Sequence, residues 1–315
     1  MSEFYTEKIE KSPRIDKLKA DLFKLPPQIE ADRAVLLTES YKETEGEPII
    51  MRRAKAFEHI LDNIPIIIRD GELIAGSATI RPRSCQVFPE FSFEWLEKEF
   101  DTVATRTADP FYISEDTKKT LHEVYKYWKG KTTSDLATSY MTPETLMAMK
   151  HNMFTPGNYF YNGIGHVTVD YGKVITYGYS EYIEEIEDEL SSMRVSDGNY
   201  CKKHALLEAM LISLRAVIRY AKRYSRLAKE MAGREPDGKR REELLKISSS
   251  RVRRERFPRS VPEFLVRSDA FADRIERSLH FARKIRPIHV PALQKIFGSG
   301  HVERAGTGTY RLRVG

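Results

Sequence analysis

The sequence has 315 residues, 41% hydrophobic and 10% aromatic, enough to build a core for one large or two ordinary globular domains. Its formal charge of +6 is unevenly placed: up to Ser248 there are 37 basic against 40 acidic residues, whereas the last 67 residues carry 15 against 6. The excess therefore does not describe a basic folded protein, and two cysteines, Cys85 and Cys201, are too few for a disulfide framework or a structural zinc site.

In chain order, residues 1–10 are charged rather than apolar, and no later run approaches the roughly 20 apolar residues of a membrane span. A cytoplasmic protein with no membrane partner is expected. Residues 15–24 are amphipathic and stopped by Pro26 and Pro27, and residues 29–44 string together good helix formers. Ile50, Ala54, Phe57, Ile60 and Leu61 then recur at helical spacing until Pro65. Residues 66–74 set two apolar runs around Asp70-Gly71, a pair that tolerates the φ angles of a tight turn, and this predicts a β-hairpin. Ser114, followed by Glu115 and Asp116, reads as the N-cap and acidic first turn of a helix to about Lys129, and Thr142-Pro143 opens another.

Residues 155–172, rich in Gly, Asn and aromatic side chains, predict a structured loop leading into a short strand. Long helical patterns follow over 174–193 and 204–231, the second with a wide apolar face that includes Leu207, Met210, Leu211 and Leu214. After Gly233 and Pro236-Asp237-Gly238, a last helix runs to about Ile247. From Ser249 the apolar residues keep no period and prolines fall at 258, 262, 287 and 291. The expected organisation is a folded part over 1–248 and a poorly structured, Arg-rich tail over 249–315.

Few residues in the folded part carry chemistry by their spacing. His166 and Asp170 stand four apart, so on a strand they face the same side, where a carboxylate can orient the imidazole or raise its pKa for proton transfer with a substrate hydroxyl. The same spacing also suits a plain structural hydrogen bond.

Longer phrases are more specific. ADRAVLLTESYKETEGEPIIMRRAKAFEHIL (31–61), IIIRDGELIAGSAT (66–79), FPEFSFEWLEKEFDT (88–102), FYISEDTKK (111–119), YWKGKT (127–132) and GIGHVTVDYGKV (163–174) together closely resemble the N-terminal half of glycyl radical enzymes, the pyruvate formate-lyase superfamily. The likeness covers about residues 14–248, and its wording is closer to the dehydratase and lyase branch than to pyruvate formate-lyase itself. It implies an α/β fold in which this stretch is the helix-rich N-terminal part of a ten-stranded barrel, with barrel edges exposed if nothing covers them. It also implies that His166 contacts a substrate hydroxyl, with Asp170, Tyr161 and Asn158 as its neighbours.

The resemblance further implies a radical reaction on a small molecule that breaks a C–O, C–N or C–S bond. An activating enzyme with an iron–sulfur cluster and S-adenosylmethionine makes a glycyl radical, which passes to a cysteine; the intact enzyme is expected as a homodimer. The family's G-C-V-E-like cysteine phrase and R-V-x-G-Y-like glycine phrase do not occur here. Arg194-Val195-Ser196-Asp197-Gly198 and Arg313-Val314-Gly315 resemble the latter only superficially, and Cys85 and Cys201 lack the context of the former. The chain alone is therefore expected to bind no cofactor, to hold no catalytic residue and to be inactive. The enzymatic alternative is a formate C-acetyltransferase, which two adjacent catalytic cysteines in the continuation would mark.

The tail admits two other readings. Its clusters, such as Arg251-Val252-Arg253-Arg254, suit phosphate binding and would make a noncatalytic nucleic-acid-binding protein. Alternatively the tail is out of frame. Permitted codons for residues 257–268, read one nucleotide later, spell SREAFQSFWFVQ, and those for 276–291 spell NGHSISPGRFDQYMYP. Both strings are similar to phrases of the same family at matching spacing, so the frameshift is the reading carried forward.

Overall fold

The computed structural model describes residues 12–157, 160–161, 171–252, 302–305 and 309–312. The chain divides into two compact units, Met1–Pro258 and Arg259–Gly315. In the first unit the helices are α1 (Pro13–Phe23), α2 (Asp32–Glu43), α3 (Ile49–Asn63), α4 (Glu94–Lys98), α5 (Glu115–Trp128), α6 (Thr133–Ser139), α7 (Pro143–Lys150), α8 (Tyr171–Ser192), α9 (Tyr200–Arg234) and α10 (Gly238–Val252). Two short strands, β1 (Gln28–Glu30) and β2 (Ser84–Gln86), pair in parallel with Ile29 opposite Cys85. The described residues of the second unit are β3 (Val302–Ala305) and β4 (Thr309–Leu312), antiparallel with Val302 opposite Leu312.

Several helix starts follow directly from local chemistry. The Thr117 amide donates to Ser114 Oγ at 3.2 Å, and Thr132 forms a capping box, its Oγ1 accepting from the Asp135 amide at 3.0 Å while Asp135 Oδ2 accepts from the Thr132 amide at 3.1 Å. Thr142 caps α7 as Ser114 caps α5, its Oγ1 accepting from the Thr145 amide at 3.3 Å, with Pro143 in the first turn.

One apolar core joins β1, α2, α3, α4 and α5, with Leu37, Ile60, Phe93, Leu96, Leu121 and Trp128 at its centre. Trp128 Nε1 donates to Thr38 Oγ1 at 2.8 Å, which satisfies the indole while its ring lies 5.1 Å from that of Tyr41. A second core gathers Ile68 and Ala75 against Tyr224, Ala228 and Ala232 of α9 and Leu244 and Ile247 of α10. Each fully buried Leu here contributes about 1.5–3 kcal/mol. Helix α9 is tied to α3 by arginines: Arg219 pairs with Asp62 and Glu58, and Arg223 donates to the Leu61 and Ile64 carbonyls at the end of α3.

The hairpin expected over residues 66–74 does not form. Asp70-Gly71 does turn, with Gly71 at φ 79° and the Glu72 amide bonded to the Arg69 carbonyl at 3.2 Å, but the flanking runs make no ladder. The carbonyls of Arg69 and Glu72 instead accept from the buried Arg240 guanidinium at 3.1 and 2.8 Å, and Ile68 is buried whereas Ile74 is 80% exposed. A long-range side chain has taken the acceptors that strand pairing would use.

Strands β1 and β2 take the place of the helix start expected at Ile29, and they are held by a buried carboxylate. Glu30 accepts from the amides of Ile80 at 3.0 Å and Arg81 at 2.8 Å and from Gln86 Nε2 at 3.3 Å. The loop and strand expected over 155–172 fall largely outside the described residues. No helix among the described residues is long and apolar enough to cross a membrane.

Candidate functional site

Of the four residues that the family phrases single out, Asn158, His166 and Asp170 lie outside the described residues. Tyr161 is half-buried in helical backbone, its ring edge-on to Phe160 at 5.4 Å. The phrase that holds His166 runs directly into α8, so the surroundings of α8 are where the candidate site becomes visible.

Helix α8 is two helical pieces joined at Gly178, whose φ of 76° lies in the left-handed region that glycine enters without a Cβ clash. Val174 before the joint and Tyr179 and Tyr182 after it line an open cavity of about 440 Å³ together with Ile50 and Ala54 of α3 and Leu206 and Met210 of α9. Lys173 lies beside it, paired with Glu185 at 2.6 Å and 4.3 Å from the centre of the Tyr182 ring. The hydrogen bond to Glu185 raises the Lys173 pKa. Ser213 faces the cavity but its hydroxyl donates to the Ala209 carbonyl at 2.8 Å. Among the described residues the cavity's lining is mostly apolar and aromatic, with Arg53 of α3 and Ser213 of α9 as polar side chains. The sequence cue for it was the breadth of the apolar face of α9, wider than one neighbouring helix covers.

A second cavity, about 470 Å³, is lined by Asp62, Arg219, Lys222, Arg223, Ser225 and Arg226. Arg219 is held by Asp62 and Glu58, whose hydrogen bonds raise its pKa; Arg223 binds the end of α3, and the Ser225 hydroxyl donates to the Ser248 carbonyl at 2.9 Å. These groups fasten α9 to its neighbours.

Cys85 sits on β2 with its thiol pushed up by burial and by the nearby charge of Glu30, while Cys201 is exposed at the start of α9; neither lines a cavity described above. Gly198 is exposed, and a Cβ built on it meets nothing within 4 Å. Among the described residues no cluster of three or more His, Cys, Asp or Glu is placed to hold a metal ion.

Comparison with known proteins places these observations. The family described as pyruvate formate lyase-like matches residues 5–255. A solved structure on 1,2-propanediol dehydration in Roseburia inulinivorans is 58% identical, superimposes with a TM-score of 0.75, and is matched over 79% of this chain and 30% of its own. The glycerol-bound B12-independent glycerol dehydratase from Clostridium butyricum is 51% identical at a TM-score of 0.72, over 76% of this chain and 31% of its own. Among curated proteins, the (2S)-3-sulfopropanediol dehydratase of Klebsiella oxytoca is 32% identical over 74% of this chain and 29% of its own. The chain thus spans about 30% of the length of the relatives it matches.

Proposed function

We infer the function from one premise: the chain belongs to the pyruvate formate lyase-like family of glycyl radical enzymes, on its dehydratase and lyase side. It is the N-terminal part of an enzyme that removes water from a small polyol, the diol-dehydratase form of radical C–O, C–N or C–S cleavage. The observation that carries this reading is the 58% identity, in one superimposable fold, to a protein whose solved structure concerns 1,2-propanediol dehydration. In the complete enzyme His166 contacts a substrate hydroxyl, with Asp170, Tyr161 and Asn158 around it. The glycyl radical, the cysteine it oxidises and the docking site of the S-adenosylmethionine-dependent activating enzyme belong to polypeptide outside residues 1–248. The complete enzyme works as a cytoplasmic homodimer, and the chain alone is inactive.

Residues 249–315 are a shifted translation of the same gene. The family match ending at residue 255, close to Ser248, supports this boundary, and so does the change of charge there. The nucleotide sequence tests it directly: the alternative frame must run on through the cysteine and glycine phrases, and an early stop in that frame would end the idea.

The activity is tested by a graft in which residues 1–248 replace the matching segment of the Roseburia inulinivorans protein. Activated anaerobically, the graft should dehydrate 1,2-propanediol, and His166→Ala should abolish turnover while leaving the glycyl radical signal in place. A folded graft that carries the radical and leaves 1,2-propanediol untouched would overturn the dehydratase reading.

A further inference from the structure

Helix α9 carries nine basic residues against two acidic ones, in a segment, residues 1–248, whose acids outnumber its bases. Arg215, Arg219, Lys222, Arg226 and Lys229 recur along it at steps of four and three, so they stand in one column down a single side. The N-terminal part of that column is neutralised by neighbours: Arg215 pairs with Glu187 of α8, and Arg219 with Glu58 and Asp62 of α3. Its C-terminal part faces a cavity. Arg219, Lys222 and Arg226 line the open space of about 470 Å³ together with Arg223, and the single carboxylate among the described lining residues, Asp62, is engaged by Arg219. Lys222 and Arg226 are exposed, and Arg226 forms no ion pair among the described residues. The helix dipole does not account for these two cations, because both lie two or more turns before the end of α9, beyond its reach.

Like charges one turn apart repel, so such a column favours a counter-anion. Spacing selects its kind. Lys222 and Arg226 are four residues apart, about 6 Å along the axis, a span wider than one phosphate group and suited to the two ends of a diphosphate. Arg223, held by its bonds to the Leu61 and Ile64 carbonyls, and Arg219, held by Asp62, form a positive wall that is ordered before any ligand arrives. Guanidinium forks match phosphate oxygens, and the aliphatic stems of Lys222, Arg223 and Arg226 leave apolar surface for an organic remainder. A bare diphosphate would not fill this cavity, whose size lies in the range that takes small molecules. We propose that the cavity beside α9 binds a small organic diphosphate, whose diphosphate group bridges Lys222 and Arg226. Neither residue belongs to the phrases that carry the family likeness, so failure here leaves the dehydratase reading in place.

The test is equilibrium dialysis of the full chain against radiolabelled pyrophosphate, at physiological ionic strength and without divalent metal. Saturable binding is expected, weakened at least about tenfold by Lys222→Gln together with Arg226→Gln. Because the tail is itself rich in arginine, Arg253→Gln with Arg254→Gln removes the same charge elsewhere and should change the affinity by no more than about twofold. Equal losses from the two pairs, a larger loss from the tail pair, or no saturable binding at all would overturn the proposal. Orthophosphate should compete at least about tenfold more weakly than pyrophosphate; equal competition would show that the one-turn spacing is not read and would overturn the diphosphate assignment. Methyl diphosphate should also bind, and its exclusion would overturn the organic part. Urea midpoints of both double variants should match that of the parent, since the α9 side chains are exposed. If the α9 pair unfolds the chain, Arg226→Lys takes its place: it keeps the charge and loses the fork, so binding should weaken at least about threefold, and unchanged affinity would overturn the proposal.

Discussion

Helix α5 and helix α7 begin with the same device, a hydroxyl N-cap and an acidic residue in the first turn, yet α5 buries Leu121, Val124 and Trp128 while α7 buries nothing. The difference lies beyond the helix start. A cap satisfies amides that the helix itself leaves open, and it does so whatever the helix later touches. What α5 gains from α2 and α4 is apolar burial, which makes one element part of a core and leaves the other at its edge.

The largest expected effect sharpens this contrast. Trp128→Ala should cost about 3–5 kcal/mol through lost burial and the lost hydrogen bond to Thr38, whose hydroxyl still donates to the Ala34 carbonyl, whereas Tyr140→Ala, at a side chain 80% exposed, should stay within about 0.5 kcal/mol. Urea unfolding of both variants decides it, and similar losses at the two sites would erase the distinction between the regions.

Next comes Arg240→Met, expected to cost about 2 kcal/mol because, in a partly buried place, the Glu72 carbonyl loses its side-chain donor, the Arg69 carbonyl keeps only the Glu72 amide, and Glu243 loses one of its two arginine partners. If that guanidinium is what keeps residues 66–74 from pairing as strands, hydrogen exchange at the Asp70-Gly71 turn should change more than anywhere in α6. A uniform change across both segments would contradict it.

Thr132→Ala should remove about 1 kcal/mol from α6 by opening its capping box. Because α6 is not packed into the core, the loss should show as faster amide exchange over residues 133–139 and leave the midpoint reported by Trp128 unmoved. Coupled changes in both would mean that α6 is part of the core after all.

The smallest effect depends on pH. The Glu243 carboxyl is held below its ordinary value, chiefly by the hydrogen bond from Arg14, with Arg240 adding to it and burial opposing. A carboxyl whose folded pKa is lowered contributes stability fully present above its unfolded value, about 4.3, and lost as pH falls through the lower folded value. The deficit of Glu243→Gln relative to the parent chain, clear at neutral pH, should therefore shrink below about pH 4. A deficit that is the same in urea at pH 7 and pH 3.5 would show that charge is not what Glu243 contributes.

Much of the helical order was legible in the sequence, for reasons visible at particular residues. Ser114 and Thr142 mark starts because a hydroxyl before an amphipathic run has one favourable use, and Pro65 follows the end of α3 at Asn63 because proline has no amide to continue the helix. Strands β1 and β2 were not legible: three residues each carry no usable period, and the contacts that fix them come from Ile80, Arg81 and Gln86, about fifty residues from Glu30. The turn at Asp70-Gly71 was read correctly and its consequence was not, since Arg240 lies far along the chain. For the candidate site, the phrase around His166 resembled the family only together with the five phrases before it, while the 440 Å³ cavity beside α8 required α3 and α9 to be brought together.

The sequence by itself determined where most helices begin, which family the chain belongs to and where its composition changes near Ser248, because caps, apolar periods and long phrases are properties of neighbouring residues. Only the tertiary structure decided which apolar faces are covered, which carbonyls Arg240 occupies and which helices stand outside the two cores. Those outcomes depend on contacts between residues far apart in the chain, and local propensity carries no information about the partner at the other end of such a contact.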